Sequence, residues 1–140
     1  RAASADVASP SSAAEERFWE WRGHRVRYTC AGGANASGPA VVLVHGFGGN
    51  ADHWRKNIGA LAGAGARVWA VDLLGYGYSA KPDPRESAPN TVYTFENWAA
   101  QLMDFRREVI GEESKVFLFC NSVGGVAGVQ GAGGEAGSGA

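Results

Sequence analysis

The run Cys120-Asn121-Ser122-Val123-Gly124-Gly125 places a serine between a strongly apolar segment, KVFLFC over residues 115–120, and two glycines. A serine on a sharp strand-to-helix turn has its hydroxyl exposed, and the amide of the next residue points at a developing oxyanion. Here that amide belongs to Val123, while Asn121 leads into the turn and Gly124 and Gly125 leave it room. The position two before the serine is Cys120, where the full G-x-S-x-G form has glycine. A small-residue turn around a serine is by itself more often a plain strand–helix junction. A second motif changes the balance. His45-Gly46-Phe47-Gly48-Gly49 follows the apolar run Ala40–Val44, at the kind of strand end where the second oxyanion amide is carried. Phe47 is the expected donor, with Gly48 as the alternative and His45 and Gly46 as support. A serine nucleophile facing two amides is the apparatus of acyl transfer, so the expected substrate is an ester, thioester or related acyl compound.

The catalytic base is the missing part. In this arrangement the chain order is Ser, then Asp or Glu, then His. After Ser122 the sequence holds one acid, Glu135, and no histidine. Of the three histidines present, His45 is the nearest candidate, and a Ser122–His45–Asp72 arrangement is conceivable. The simpler expectation is that His45 stabilises its own loop, and that His24 and His53 are structural or surface residues.

Elements that would hold these motifs can be read from the pattern. Residues 18–31 (FWEWRGHRVRYTCA) alternate around Gly23 as a hairpin, expected at the edge of a sheet, with Arg22, His24, Arg25 and Arg27 as a solvated charge guard. Ala40–Val44, residues 67–74 and residues 115–120 are apolar runs of the kind buried on both faces of a parallel sheet. Asn50 can cap a helix with Asp52 in its first turn and Trp54, Ile58 and Leu61 on one face, stopped at Gly63 and Gly65. A second helix begins near Thr94. Its stripe of Phe95, Trp98, Ala99, Leu102, Phe105, Val109 and Ile110 ends at Gly111. Trp54 and Trp98 are expected in the core, and Tyr76 and Tyr78 are expected to brace the loop after Asp72. Strands alternating with helices mean parallel crossovers. Residues 1–16 read as an Ala/Ser-rich disordered leader, 17–130 as a partial domain, and 131–140 as a Gly/Ala-rich low-complexity tail.

At this point a resemblance is apparent. WEWRGHRVRY, VLVHGFGGNADHWRKN, VDLLGYGYSAKPDPR, YTFENWAAQL and FLFCNSVGGVAGVQ together resemble the plant and algal chloroplast α/β-hydrolases of the pheophytinase and chlorophyll dephytylase branch. The resemblance spans residues 18–130. It implies an α/β fold: the N-terminal portion of an α/β-hydrolase, a hairpin leading into a mostly parallel sheet with flanking helices, truncated after the nucleophile elbow. It also implies an esterase that removes phytol from a chlorophyll-type substrate in the chloroplast. Epoxide hydrolases and haloalkane dehalogenases are similar around HGFGG and GYGYSAKP, but their chemistry uses a carboxylate nucleophile, which Ser122 is not.

Composition limits the remaining classes. Thirteen basic against fourteen acidic residues give no global field for nucleic acid, so a small hydrophobic ester is the expected partner. The longest apolar run is far short of the roughly 20 residues of a membrane span, leaving peripheral contact as the expected limit of any membrane association. Cys30 and Cys120 read as reduced and structural, hence an intracellular compartment. No His/Cys/carboxylate cluster has metal-ligand spacing, no cofactor is implied, and G-x-G-x-x-G is not found after the first parallel strand. The rival reading is a non-catalytic hydrolase scaffold that holds a small hydrophobic ligand or a protein partner. Without later strands, residues 115–120 would form an exposed apolar edge, which predicts aggregation or dependence on a partner.

Overall fold

A computed structural model describes residues 13–33, 37–122 and 125. Five strands form one sheet in the order β1-β2-β4-β3-β5, where β1 is Glu15–Trp21, β2 His24–Ala31, β3 Ala40–Val44, β4 Arg67–Val71 and β5 Val116–Cys120. β1 and β2 pair antiparallel from Glu15↔Cys30 to Trp21↔His24. Arg22 and Gly23 join them with φ of 48° and 80°, the two positive values that a two-residue turn of the primed type requires. β2 runs antiparallel to β4, whereas β3 is parallel to both β4 and β5.

Helix α1 (Arg55–Gly63) is entered through a single tight turn, Ala51–Trp54, capped as expected by the Asn50 side chain on the Asp52 amide. Helix α2 (Phe95–Phe105) is capped by the Thr94 side chain on the Asn97 amide and runs on into a wider turn, Arg106–Gly111. Gly111, at φ 120°, ends it. The helices cover opposite faces of the sheet. Val42, Val44, Val26, Tyr28 and Val71 pack with Trp98, Leu102 and Phe105 of α2. Val41, Leu43, Val68 and Ala70 pack with Ile58 and Ala62 of α1. β3 is therefore apolar at every position because both of its faces are covered.

Four expectations need correction. The hairpin lies at the edge of the sheet as expected, with β1 outermost, but Arg27 on β2 is buried instead of solvated. Three carboxylates gather around it, which a single strand's pattern does not reveal. β1 begins at Glu15, so Glu15 and Glu16 are strand residues instead of leader. β4 stops at Val71; Asp72, Leu73 and Leu74 remain buried but leave the ladder. Phe95 is exposed at the start of α2, and Trp54 is only half-buried. At the other edge, β5 exposes Phe117, Leu118 and Phe119, as expected for that segment without further strands.

Candidate active site

The loop after β3 is built around a buried histidine. His45 is fully buried; its Nε2 accepts from the Leu73 amide at 3.0 Å and its Nδ1 lies 2.9 Å from the Gly46 carbonyl. Those two partners assign the neutral tautomer with the proton on Nδ1, because an amide N–H can only meet an unprotonated Nε2. Burial pushes the His45 pKa below its ordinary 6.5, outweighing the Gly46 carbonyl and the Asp72 carboxylate, which pull upward. Its ring lies against Tyr76, centroids 4.9 Å apart. The Gly49 amide closes a turn on the Gly46 carbonyl at 3.0 Å, Gly48 takes φ 72°, and the Phe47 side chain stands out, 82% exposed.

The turn that carries Ser122 meets that loop directly. The Asn121 amide bonds to the Val44 carbonyl at 3.0 Å, which carries the β3–β5 pairing one residue past the strand. Ser122 follows, exposed and at φ 52°. A serine in the left-handed region costs energy, and such strain gathers at functional sites. The Gly125 amide returns to the Ser122 carbonyl at 2.9 Å, closing the turn. A Cβ on Gly46 would sit 3.1 Å from both the Ser122 Cβ and the Asn121 carbonyl oxygen. Glycine at 46 therefore lets the two loops touch. Val123 and Gly124 lie outside the described residues, so the Val123 amide assignment stays an expectation. Cys120 is half-buried with a free thiol whose pKa burial pushes up, and it packs against the α2-side core.

A buried polar network behind the loops went largely unread in the sequence. The Asp72 carboxylate accepts from the Ala51 amide at 2.6 Å and from the Tyr78 amide at 2.8 Å. It thereby ties the start of the α1 segment to the loop after β4. Arg27 lies 3.5 Å from Asp72, 2.8 Å from Asp52 and 3.1 Å from Glu16. Burial works against its charge, but the Asp52 hydrogen bond and the three carboxylates more than offset it, and its pKa is raised. Gln101 of α2 accepts from the Leu74 amide at 2.9 Å and donates to the Asp72 carbonyl at 3.2 Å. The Ser79 hydroxyl donates to that same carbonyl and accepts from the Arg27 amide. Tyr78 spreads its ring over Arg27 at 5.1 Å, consistent with bracing, yet is 67% exposed.

This network disposes of the Ser122–His45–Asp72 arrangement. Both ring nitrogens of His45 and both carboxylate oxygens of Asp72 are committed to backbone groups of the loops after β3 and β4, and none of these partners is Ser122. His24 is three strand intervals from β5, about 14 Å at the usual spacing. His53 packs its ring on Trp54. The described residues thus bring together Ser122 and the loop after β3, and no histidine among them bonds to the serine hydroxyl. They hold no group of three or more metal-ligating side chains, and none of their helices is long and apolar enough to cross a membrane.

Residues 41–138 match the alpha/beta hydrolase family. The chain belongs to that family. Among characterised members, it is 34% identical to the chloroplastic pheophytinase of Arabidopsis thaliana, over 76% of this chain and 26% of that protein. It is 46% identical to epoxide hydrolase B of Mycobacterium tuberculosis, over 46% of this chain and 18% of the relative. The crystal structure of epoxide hydrolase A from Mycobacterium thermoresistibile superposes with a TM-score of 0.73 and 33% identity, over 86% of this chain and 35% of that one. The chain thus spans about a third or less of these family members. The stretch that matches the family model runs from β3 past the serine turn. The similarity reaches members of different chemistry, so it supports hydrolysis in general and leaves the choice of substrate to the site residues.

Proposed function

We propose that this chain carries the nucleophile and oxyanion portion of a serine carboxylic-ester hydrolase. The observation behind the reading is Ser122 at φ 52°, exposed, with Gly46 of the oxyanion loop packed against it. Its hydroxyl oxygen would attack the ester carbonyl carbon and expel the alcohol. Water would then release the acid from the acyl-enzyme. During both steps the Phe47 and Val123 amides would hold the oxyanion, a contribution of about a hundredfold or more per donor in comparable sites. A hydroxyl nucleophile favours an ester over an epoxide. Together with the pheophytinase similarity, this points to a phytyl ester of a chlorophyll-type pigment in a chloroplast. Phe47, 82% exposed and next in the chain to the Gly46 that packs against Ser122, offers an apolar surface for such a chain.

The test is acylation of the purified chain by p-nitrophenyl decanoate, read by intact mass and peptide mapping. One decanoyl group on Ser122, absent in Ser122→Ala, is the expected result, with pheophytin in micelles slowing its appearance. Adducts spread over other side chains, unchanged in Ser122→Ala, contradict the reading. His45, with both nitrogens occupied, favours the rival, a non-catalytic scaffold, and that second outcome would establish it.

A further inference from the structure

A groove apart from the serine turn lies on the α2 face, at the end of the sheet where the parallel strands begin. Cys30 of β2 stands between Glu15 of β1 and Trp69 of β4 in one row across the sheet, and Arg17 lies in the next row of β1. Val109 and Ile110, from the wide turn after α2, form the facing wall. The half-open space between them is about 360 Å³, within the range of small-molecule sites. Ser122 follows the opposite ends of β3 and β5, roughly 13 Å further along the strands than Arg67 at the start of β4. The charges at the rim are not equivalent. Arg17 donates to Glu15 at 2.7 Å, so these two offset each other. Arg67 donates from Nε to the Gly38 carbonyl at 3.4 Å and holds its guanidinium carbon 5.8 Å from the Trp69 ring centroid, yet no carboxylate among the described residues pairs with it. Its two terminal nitrogens, the kind of fork that grips a carboxylate in bidentate fashion, bond to no other described residue. Burial pushes the Cys30 thiol up against the pull of Arg17, so the floor carries no negative charge at neutral pH.

We infer that this groove binds a monocarboxylate with an apolar tail, the carboxylate on Arg67 and the tail laid over Trp69 and Cys30 against Val109 and Ile110. Charge and size select this occupant. An apolar floor beside one uncompensated guanidinium matches a single anion joined to a hydrocarbon body. A cation would be repelled by Arg67. A polyanion would bring more charge than one guanidinium offsets and would set it near Glu15. The inference stands apart from the hydrolase reading, because no residue of the groove belongs to the loops around Ser122.

Decanoate, kept below its micelle concentration, is the probe, and the rate of Cys30 alkylation by iodoacetamide in the full chain, read by peptide mass spectrometry, is the measurement. Cys120, on β5, serves as the internal reference. Decanoate should slow Cys30 at least fivefold and leave Cys120 unchanged, whereas decanol and acetate at the same concentration should leave both rates unchanged. Arg67→Gln should raise the decanoate concentration for half protection about tenfold, and Arg67→Lys, a point charge without the fork, should fall between. Ser122→Ala should leave the protection as it is. An unaltered Cys120 rate in each variant shows that the fold survives, and the comparison of decanoate with decanol needs no variant. A Cys30 rate indifferent to decanoate overturns the inference. So does equal protection by decanol, which would make the groove a plain apolar surface, and so does protection that persists unshifted in Arg67→Gln. Protection lost in Ser122→Ala also overturns it, by placing the acid at the serine turn.

Discussion

Ser122 and His45 carry the account at the level of single residues, and each makes a prediction that the other does not. A serine held at φ 52° stores strain of about 1–3 kcal/mol. Ser122→Gly should therefore raise chemical-denaturation stability by about 1 kcal/mol while abolishing acylation, since glycine adopts that conformation freely. A loss of stability would mean that the turn is not strained. His45 predicts a pH effect. Its folded pKa lies below the ordinary 6.5, so the unfolded chain binds the extra proton first. The stability it contributes is full above 6.5 and is lost as pH falls through the lowered folded value. Urea midpoints should drop as pH falls below 6.5, and His45→Asn should flatten that slope. Arg27 was unreadable from the sequence because a charge on a strand normally points to water. Only the approach of Asp72, Asp52 and Glu16 from three other segments buries it. Arg27→Met should cost about 3–5 kcal/mol, read from the same urea midpoints, because it strips the counter-charge from a fully buried Asp72.

Among the elements, the helices and parallel strands were legible and the connections between them were not. Asn50 and Thr94 announce their caps, and the stripe from Trp98 to Phe105 announces the face of α2. These are local signals. Gln101 lies within that stripe as a polar residue without local meaning, and it becomes intelligible only beside the amide of Leu74 and the carbonyl of Asp72. Gln101→Leu keeps the volume and leaves the Leu74 N–H buried and unpaired, for an expected cost of about 1–3 kcal/mol in thermal or urea unfolding. The two loops of the site meet at Gly46. Gly46→Ala puts a methyl 3.1 Å from Ser122 Cβ and should slow Ser122 acylation about tenfold or more, with stability nearly unchanged. Both motifs were readable as strings, whereas their contact was not, because it depends on β3 and β5 being neighbours in the sheet.

At the scale of the whole molecule, the chain is one portion of the hydrolase fold with its serine turn at the end of an open strand. The β1–β2 hairpin, the parallel β4-β3-β5 order and the helix on each face position the oxyanion loop and Ser122 side by side. The central claim is that this geometry makes Ser122 a nucleophile. The most direct measurement is the rate of fluorophosphonate modification at each serine of the purified chain, resolved by peptide mass spectrometry. Even without its base, a preformed oxyanion site retains about a thousandfold advantage over water. Ser122 Oγ should therefore bond to the probe's phosphorus and displace fluoride far faster than the exposed Ser87 does, and Gly46→Ala should remove much of the difference. Equal rates at Ser122 and Ser87 would contradict the account.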